Sequence, residues 1–461
     1  MATAAERLAA WGLGLRYEEI PQEVVEAAKL HFLDTIGCGL AAHAMGVATE
    51  GRTMMAEQAG TPDATVIGLE RALPGASAAF ANAMLCHGLD FDDTHPGSVA
   101  HVSAVVSPAA LAAAEVAGRD GRELVTAIVM GNETVTRVGM AAPSAFHKRG
   151  FHPTSICGIF GGTLAAGRLS GSTPEALTSA LGIAGSFASG IFAYLDVGTA
   201  TKPMHPAWAA HGSLYATRLA QLGAEGPPTV LEGRFGLYDA FLELKPDLEA
   251  QLGDLGSRWE TPRIAYKPYP ACHYIHGSLG ATQSLLGLLA VDDIADILVT
   301  LPQAGVALVT EPQEMKRAPR TDYEAKFSLH YSTAAMLVHG HVGVKTYTDA
   351  AIADPKVLAV AAKVRYEVKE YATYPGSFPG GVVITLKDGR KLDAELDYQK
   401  GGPENPLTAA EVLEKWHGNA ALCLDDRTIE KLERAILGIE EHADLRAAFA
   451  PLATAKAGVA V

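Results

Sequence analysis

The sequence is poor in cysteine and in positive charge, and both shortages exclude classes of protein. Its five cysteines are odd in number and widely spaced, and no two of them form a Cys-x-x-Cys pair. We therefore expect no disulfide framework, and a reducing, cytoplasmic location fits best. The net charge is −15, and no cluster of Lys and Arg is interleaved with aromatics. Nucleic acid is thus not an expected partner. Membrane insertion is not expected either, since no apolar run reaches the roughly 18 residues of a span.

Common catalytic and nucleotide-binding motifs are also missing. The sequence has no Walker loop, no Gly-x-Gly-x-x-Gly after a predicted strand, no Gly-x-Ser-x-Gly and no Cys/His zinc spacing. Candidate residues must therefore be sought among polar side chains in loops that interrupt the predicted helices.

The patterning predicts a mainly α protein with one α+β unit. At 461 residues the chain is too long for one ordinary core, so two domains are expected. Helical periodicity dominates up to Leu242, with 68–73 predicted as a loop, and Thr408 opens a capped helix with Glu411. Between them the β-branched and hairpin patterns predict strands at Ile294–Leu301, Val364–Val368, Val382–Leu386 and Lys391–Leu396.

The stretch from His87 to His101 is the best candidate for chemistry. It places three carboxylates and three imidazoles between two apolar, Ala-rich segments that are predicted helices. Such a polar set is costly between buried helices unless it is solvated, paired or used in function. If the first helix continued to Pro96-Gly97, His87, Asp90 and Thr94 would share one face, because they are spaced i, i+3, i+7.

Further candidates are scattered along the chain: His152, Lys202, Lys267 and Tyr331. Each of them alone is as compatible with a structural role, so the hypothesis depends on the whole set. Metal binding is an alternative interpretation of the central stretch, because mixed His and carboxylate ligands suit zinc, manganese or iron. The ligands would be His87, Asp90, Asp93, His95 and His101. No His-x-x-x-His pair supports it.

Several motifs together resemble the 2-methylcitrate dehydratase (MmgE/PrpD) family. They are His87-Gly-Leu-Asp-Phe-Asp-Asp-Thr-His, Gly150-Phe-His-Pro-Thr, Thr201-Lys-Pro-Met-His and Lys267-Pro-Tyr-Pro-Ala-Cys-His-Tyr-Ile-His, with Leu33-Asp-Thr-Ile-Gly-Cys-Gly-Leu and Pro403-Glu-Asn-Pro-Leu-Thr near the ends. The resemblance implies a large all-helical domain (1–264 plus 405–461), a smaller α+β lid domain (265–404) and a homodimer. It also implies catalysis without a metal or organic cofactor.

The resemblance further implies which residues form the site. Positions similar to a family decarboxylase site are Asp90, Thr94, His101, His152, Lys202, Lys267 and Tyr331. We expect His101 to act as base oriented by Asp90, with His152 or Tyr331 as proton donor. Thr94, Lys202 and Lys267 would bind the substrate, and His273 and His276 flank the lysine motif and are further candidates for this role.

The expected activity is that of a hydro-lyase acting on a small di- or tricarboxylate by proton abstraction next to a carboxylate. The alternatives within the family are a cis-aconitate-type decarboxylase and an iminodisuccinate-type epimerase. Outside it, a metal-dependent hydrolase or a non-enzymatic helical scaffold fits the residues less well, because every candidate position holds a chemically competent side chain.

Overall fold

The computed structural model describes residues 2–196 and 199–457, and it confirms a mainly α protein with small sheets. Two hydrophobic clusters form its interior. One draws on residues 4–264 and 416–455, and the other on residues 269–386. We call the first part of the structure the body and the second the lid. Among the described helices, none has the length and apolarity needed to cross a membrane.

The body contains twelve helices from the N-terminal part of the chain. They are α1 (Ala4–Gly14), α2 (Gln22–Ala44), α3 (Glu50–Ala56), α4 (Gly75–His87), α5 (Ser103–Ala117), α6 (Gly121–Met140), α7 (Ala145–Lys148), α8 (Pro153–Leu169), α9 (Pro174–Phe187), α10 (Met204–Gln221), α11 (Leu237–Leu242) and α12 (Glu249–Leu252). Helix α8 packs between α6 and α10. Gly131 and Gly161 allow α6 and α8 to approach closely, because a Cβ on Gly161 would lie 2.5 Å from the Gly131 carbonyl oxygen.

One segment of the body is not helical, contrary to the all-helical expectation. Residues 68–73, predicted as a loop, belong to a two-stranded antiparallel hairpin of β1 (Ala64–Val66) and β2 (Leu69–Leu73). Gly68 has a φ of +67° and makes the turn. The strands are too short for an alternating pattern to stand out. They are held partly by side chains of other elements, such as Asn82, which accepts from the Ile67 amide at 3.0 Å.

The lid is an α+β unit built on a four-stranded sheet. The strands are β3 (Ile294–Leu301), β4 (Val364–Val368), β5 (Gly380–Leu386) and β6 (Lys391–Leu396), in the spatial order β4-β3-β5-β6 with only β3 and β4 parallel. Helix α13 (His276–Ser284) packs on the sheet. The remaining lid helices are α14 (Gln303–Val309), α15 (Gln313–Arg317), α16 (Asp322–Lys326), α17 (Leu329–His339), α18 (Asp349–Ile352) and α19 (Pro355–Ala361). All four predicted strands are present.

After the lid the chain returns to the body through α20 (Ala409–Ala420), α21 (Asp426–Leu437) and α22 (Leu445–Phe449). The predicted capping box opens α20. The Thr408 amide donates to Glu411 Oε2 at 2.7 Å, and the Glu411 amide donates to Thr408 Oγ1 at 3.3 Å. Helices α20 and α21 both pack on α2, so the two ends of the chain share one core.

Candidate active site

Helix α4 ends at His87 rather than at Pro96-Gly97. Asp90 has a φ of +52°, a left-handed conformation that cannot continue a right-handed helix. The expected common face of His87, Asp90 and Thr94 is therefore wrong. Thr94 instead pairs with Ala265, with both backbone N–H···O distances at 2.9 Å. This bridge attaches the loop after α4 to the segment that leads into the lid.

Two lysines converge on one oxygen of Asp90. Lys202, just before α10, and Lys267, on the segment entering the lid, each donate to Asp90 Oδ1 at 2.7 Å. Lys267 also donates to the Asp90 carbonyl oxygen at 2.9 Å. Burial would raise the pKa of Asp90, but Lys202 and Lys267 hold it well below its usual range. The cluster therefore carries more positive than negative charge at pH 7.

Neutral imidazoles lie beside this cluster. Burial lowers the pKa of His101 to about 4, and burial with Lys202 nearby lowers the pKa of His152 well below its usual value. The His101 backbone amide donates to Thr154 Oγ1 at 3.0 Å, which fixes it against the start of α8. His152 precedes that helix, and its Nδ1 lies 3.0 Å from Nδ1 of His205. Both candidate imidazoles are thus unprotonated at pH 7.

Asp92 is a third buried carboxylate in this region, and the sequence did not single it out. Its carboxylate lies 2.8 Å from His87 Nδ1 and 3.3 Å from His101 Nδ1. Burial would raise its pKa, but His87 and His101 hold it well below its usual range. Three aspartates occur within four positions, and spacing alone does not tell which of them faces an imidazole.

A cavity of about 360 Å³ between body and lid joins most of the predicted residues. Seven of the nine line it: Asp90, Thr94, His101, His152, Lys202, Lys267 and His273. Its other lining residues include Tyr274, from the quoted lysine motif, and side chains that no feature of the sequence singles out, namely His147, Lys148, Phe192, Tyr194, Phe327, Tyr374 and Phe378. Most of these are aromatic, and aromatic residues in apolar patterns predict a core equally well.

Tyr331 and His276 are not among the residues that line the cavity. Tyr331 is buried in the lid core, and its hydroxyl donates to the Thr346 carbonyl oxygen at 2.8 Å. His276 lies behind His273, with ring centroids 4.6 Å apart, and its Nε2 is bonded to the Ala271 carbonyl oxygen at 3.1 Å. The structure does not bring these two side chains to the other seven.

The five residues of the metal interpretation are not gathered in one place. Asp93 pairs with His31, and His95 lies against Glu260. Two other triads within the described chain have ligand atoms within 4.8 Å of one another: His87, His101 and His152, and Asp90, Asp92 and His101. His101 is common to both, and the Lys202 ammonium lies 3.4 Å from its Nε2. A cation bound there would face that ammonium, which disfavours a metal at either triad.

Two family models together match most of the chain. Residues 6–249 match the MmgE/PrpD N-terminal domain, and residues 269–438 match the MmgE/PrpD C-terminal domain. The chain belongs to the MmgE/PrpD family. The second match covers the lid and continues into α20 and α21.

Named relatives in the family align over nearly the whole chain. The cis-aconitate decarboxylase of Homo sapiens is 29% identical over 94% of this chain and 90% of its own length. That of Aspergillus terreus is 27% identical over 94% and 93%. The 2-methylcitrate dehydratase of Cupriavidus necator is 23% identical over 88% of both chains.

Proposed function

We propose that this protein is a lyase that acts on a small polycarboxylate in the cavity between body and lid. One observation carries the proposal: Lys202 and Lys267 meet at Asp90 beside the neutral imidazole of His101. In a protein of net charge −15, a polyanion needs a local positive site, and two buried ammonium groups provide it.

Hydrogen-bond counting shows how these lysines can hold a carboxylate. An ammonium has three N–H donors. Lys267 uses two of them on Asp90, and Lys202 uses one on Asp90 and one toward His101 Nε2. Each lysine keeps one N–H for the substrate. Asp90 therefore holds the two ammonium groups side by side.

The same arrangement stabilises the charge that forms during reaction. Breaking a C–H bond or a C–COO⁻ bond leaves an electron pair on carbon, which spreads into a neighbouring carboxylate. Ammonium groups fixed beside that carboxylate stabilise the resulting charge in a site with little water. His101 is unprotonated at pH 7 and can take the proton in a C–H cleavage. In a decarboxylation no C–H bond breaks, and the proton that carbon gains is taken up from solvent through His101. His152 is the second group placed to carry a proton.

Two reactions compete for this site. The sequence favoured dehydration because that activity gives the family its name. The two decarboxylases described above align over 94% of this chain, whereas the dehydratase aligns over 88% with lower identity. Decarboxylation is therefore our first candidate and dehydration the second. Both use the same lysines and differ in whether CO₂ or water leaves.

Turnover of defined acids tests the proposal. The protein is incubated separately with cis-aconitate, 2-methylcitrate and iminodisuccinate, and products are followed by NMR together with release of CO₂. We expect consumption of one of the first two by untreated and by EDTA-treated protein alike. Lys202→Met protein serves as the inactive background. Folded protein that leaves all three acids unchanged contradicts the proposed function, and activity lost with EDTA and restored by a metal supports the hydrolase alternative.

A further inference from the structure

We propose that Asp92 is the positioning residue that orients His101, a role that the sequence assigned to Asp90. The inference builds on the proposed function, because it concerns the base of that same site. Asp92 itself does not line the cavity, so it acts through the imidazole and not on the substrate.

The contacts of His101 determine which of its nitrogens carries the proton. Its Nε2 lies 3.4 Å from the Lys202 ammonium, which has donors only, so Nε2 must present its lone pair. In the neutral ring the proton then resides on Nδ1. That nitrogen lies 3.2 Å from Thr94 Oγ1, its hydrogen-bond partner, and 3.3 Å from Asp92 Oδ2, so the ionised carboxylate attracts the proton on Nδ1. The basic nitrogen of His101 consequently faces the cavity lysines.

Asp90 cannot have this role. It approaches the opposite side of the ring, with its Oδ1 3.7 Å from His101 Nε2, and the same oxygen accepts from both Lys202 and Lys267. A carboxylate on the Nε2 side would favour a proton on the nitrogen that must act as base.

Asp92 is itself held in place by a second imidazole. Its two oxygens lie 3.0 and 2.8 Å from His87 Nδ1, and the side chain is fully buried. The ring of His87 lies edge-on to that of His101, with centroids 4.5 Å apart. One rigid carboxylate thus bridges two imidazoles, which leaves His101 little freedom to rotate.

The neighbouring Asp93 provides a matched control. It is equally buried, lies 3.0 Å from His31 Nδ1, and accepts from the Ser103 amide at 3.1 Å. It does not line the cavity. Asp92→Asn and Asp93→Asn therefore remove the same charge from adjacent, equally buried positions, and only the first affects the imidazole that faces the substrate.

Kinetics distinguish positioning from a merely structural role. For Asp92→Asn we expect kcat to fall about 10- to 100-fold with KM within about twofold, because binding still depends on the lysines. Asp93→Asn should keep kcat within about threefold.

The ring of His101 faces Asp90, Asp92, Lys202, Lys267, His87 and His152. Among them Asp92 raises the pKa of His101 and His87 lowers it. The acid limb of the kcat/KM profile should therefore move to lower pH in Asp92→Asn and to higher pH in His87→Gln.

A measurement without substrate keeps the inference separate from the proposed function. The ¹⁵N spectrum of the histidine rings, with His101→Gln used to identify the signals of His101, reports its tautomer. We expect a proton on Nδ1 in all three proteins, because Lys202 keeps the lone pair on Nε2, and a shifted Nδ1 signal of His101 only in Asp92→Asn, where the charged acceptor is lost. The inference is overturned if the Nδ1 signal of His101 is the same in all three proteins, or if both Asn variants have the same kcat. Should Asp92→Asn not fold, Asp92→Glu decides the question, because it keeps the charge but displaces the carboxylate from the His101 and His87 rings; a kcat within about threefold of the wild type would overturn the inference.

Discussion

At the scale of single residues, the role that we expect of a buried lysine depends on where its ammonium group lies and not on how deeply it is buried. Lys267 donates to Asp90 inside the cavity, and Lys415 pairs with Asp34 at 2.8 Å outside it. Both lysine side chains are nearly inaccessible, with 1% and 7% exposed. The two allow a comparison between a buried ion pair that we propose to bind substrate and one that we expect to be structural.

Replacement of each lysine by methionine should separate activity from stability. Lys267→Met should lower kcat/KM at least about 100-fold, because one of the two cations that stabilise the charged intermediate is gone. Lys415→Met should leave kcat/KM nearly unchanged but lower the free energy of unfolding by about 3–5 kcal/mol, since Asp34 keeps a buried charge without its partner. Urea unfolding and steady-state rates measure the two quantities. Equal losses of activity in both variants would argue against a substrate-binding role for Lys267.

A second residue-scale prediction concerns Tyr331, which the family resemblance placed in the site. Because its hydroxyl is bonded to the Thr346 carbonyl oxygen in the lid core, Tyr331→Phe should keep kcat within about twofold. It should lower stability by about 1 kcal/mol through the lost hydrogen bond. Thermal unfolding and turnover check both. If turnover instead fell by about two orders of magnitude, as removal of a general acid would cause, the tyrosine would be restored as a proton donor and the lid would have to adopt another arrangement.

The sequence predicted seven residues that line one cavity, but not which carboxylate faces which imidazole. Asp90, Lys202 and Lys267 can be recognised in the sequence because each is a charged residue in a largely apolar stretch that contains or adjoins a proline or glycine. Which carboxylate faces which imidazole nitrogen depends on the backbone after His87, where Asp90 adopts a positive φ. No periodicity encodes that turn, so the pairing of Asp92 with His101 could be found only from the structure.

At the scale of elements, local chemistry predicted most boundaries and tertiary contacts decided the exceptions. The N-cap of α9 at Thr173 and the capping box of α20 follow directly from residue type, because these side chains accept from the first free amides of the helix. Helix α9 ends at Phe187, an end that the residue types alone do not mark. Its C-terminal part is extended by packing against α8 and α10, and the sequence alone does not show those neighbours.

Close packing of α13 on the lid sheet gives a prediction at this scale. A Cβ on Gly277 would lie 2.5 Å from the Gly380 amide nitrogen and 2.6 Å from the Phe378 carbonyl oxygen. Because backbone cannot move aside easily, Gly277→Ala should destabilise the protein by about 1–3 kcal/mol. Gly418→Ala in α20, where a Cβ meets no atom within 4 Å, should instead stabilise it by roughly 0.5–1 kcal/mol. Chemical denaturation of the two variants measures the difference, and a neutral Gly277→Ala would mean that α13 can move away from the sheet.

At the scale of the whole molecule, the cavity depends on two cores held together by a few connecting segments. Thr94 pairs with Ala265, and the Tyr266 amide donates to the Gly401 carbonyl oxygen at 3.0 Å. Lys202 comes from the body and Lys267 from the segment entering the lid, yet both contact Asp90. The candidate site therefore draws its charges from both the body and the segment entering the lid.

The expected homodimer can be tested on helix α10. Its apolar residues Met204, Trp208, Tyr215 and Leu219 follow one face and are 39–52% exposed. The helix contains no acidic residue. Two copies of a chain with net charge −15 repel each other over most of their surface, so a face without acidic residues favours association. We therefore expect a second copy of the chain to cover this face. Because α10 begins two residues after Lys202, pairing would also stabilise the site.

Light scattering should give about twice 48.2 kDa for the wild type and for Tyr398→Glu, which changes an exposed aromatic residue of the lid. It should give the monomer mass for Trp208→Glu. A dimer that survives Trp208→Glu with unchanged affinity would place the interface on another surface, and a monomeric wild type would remove the dimer altogether.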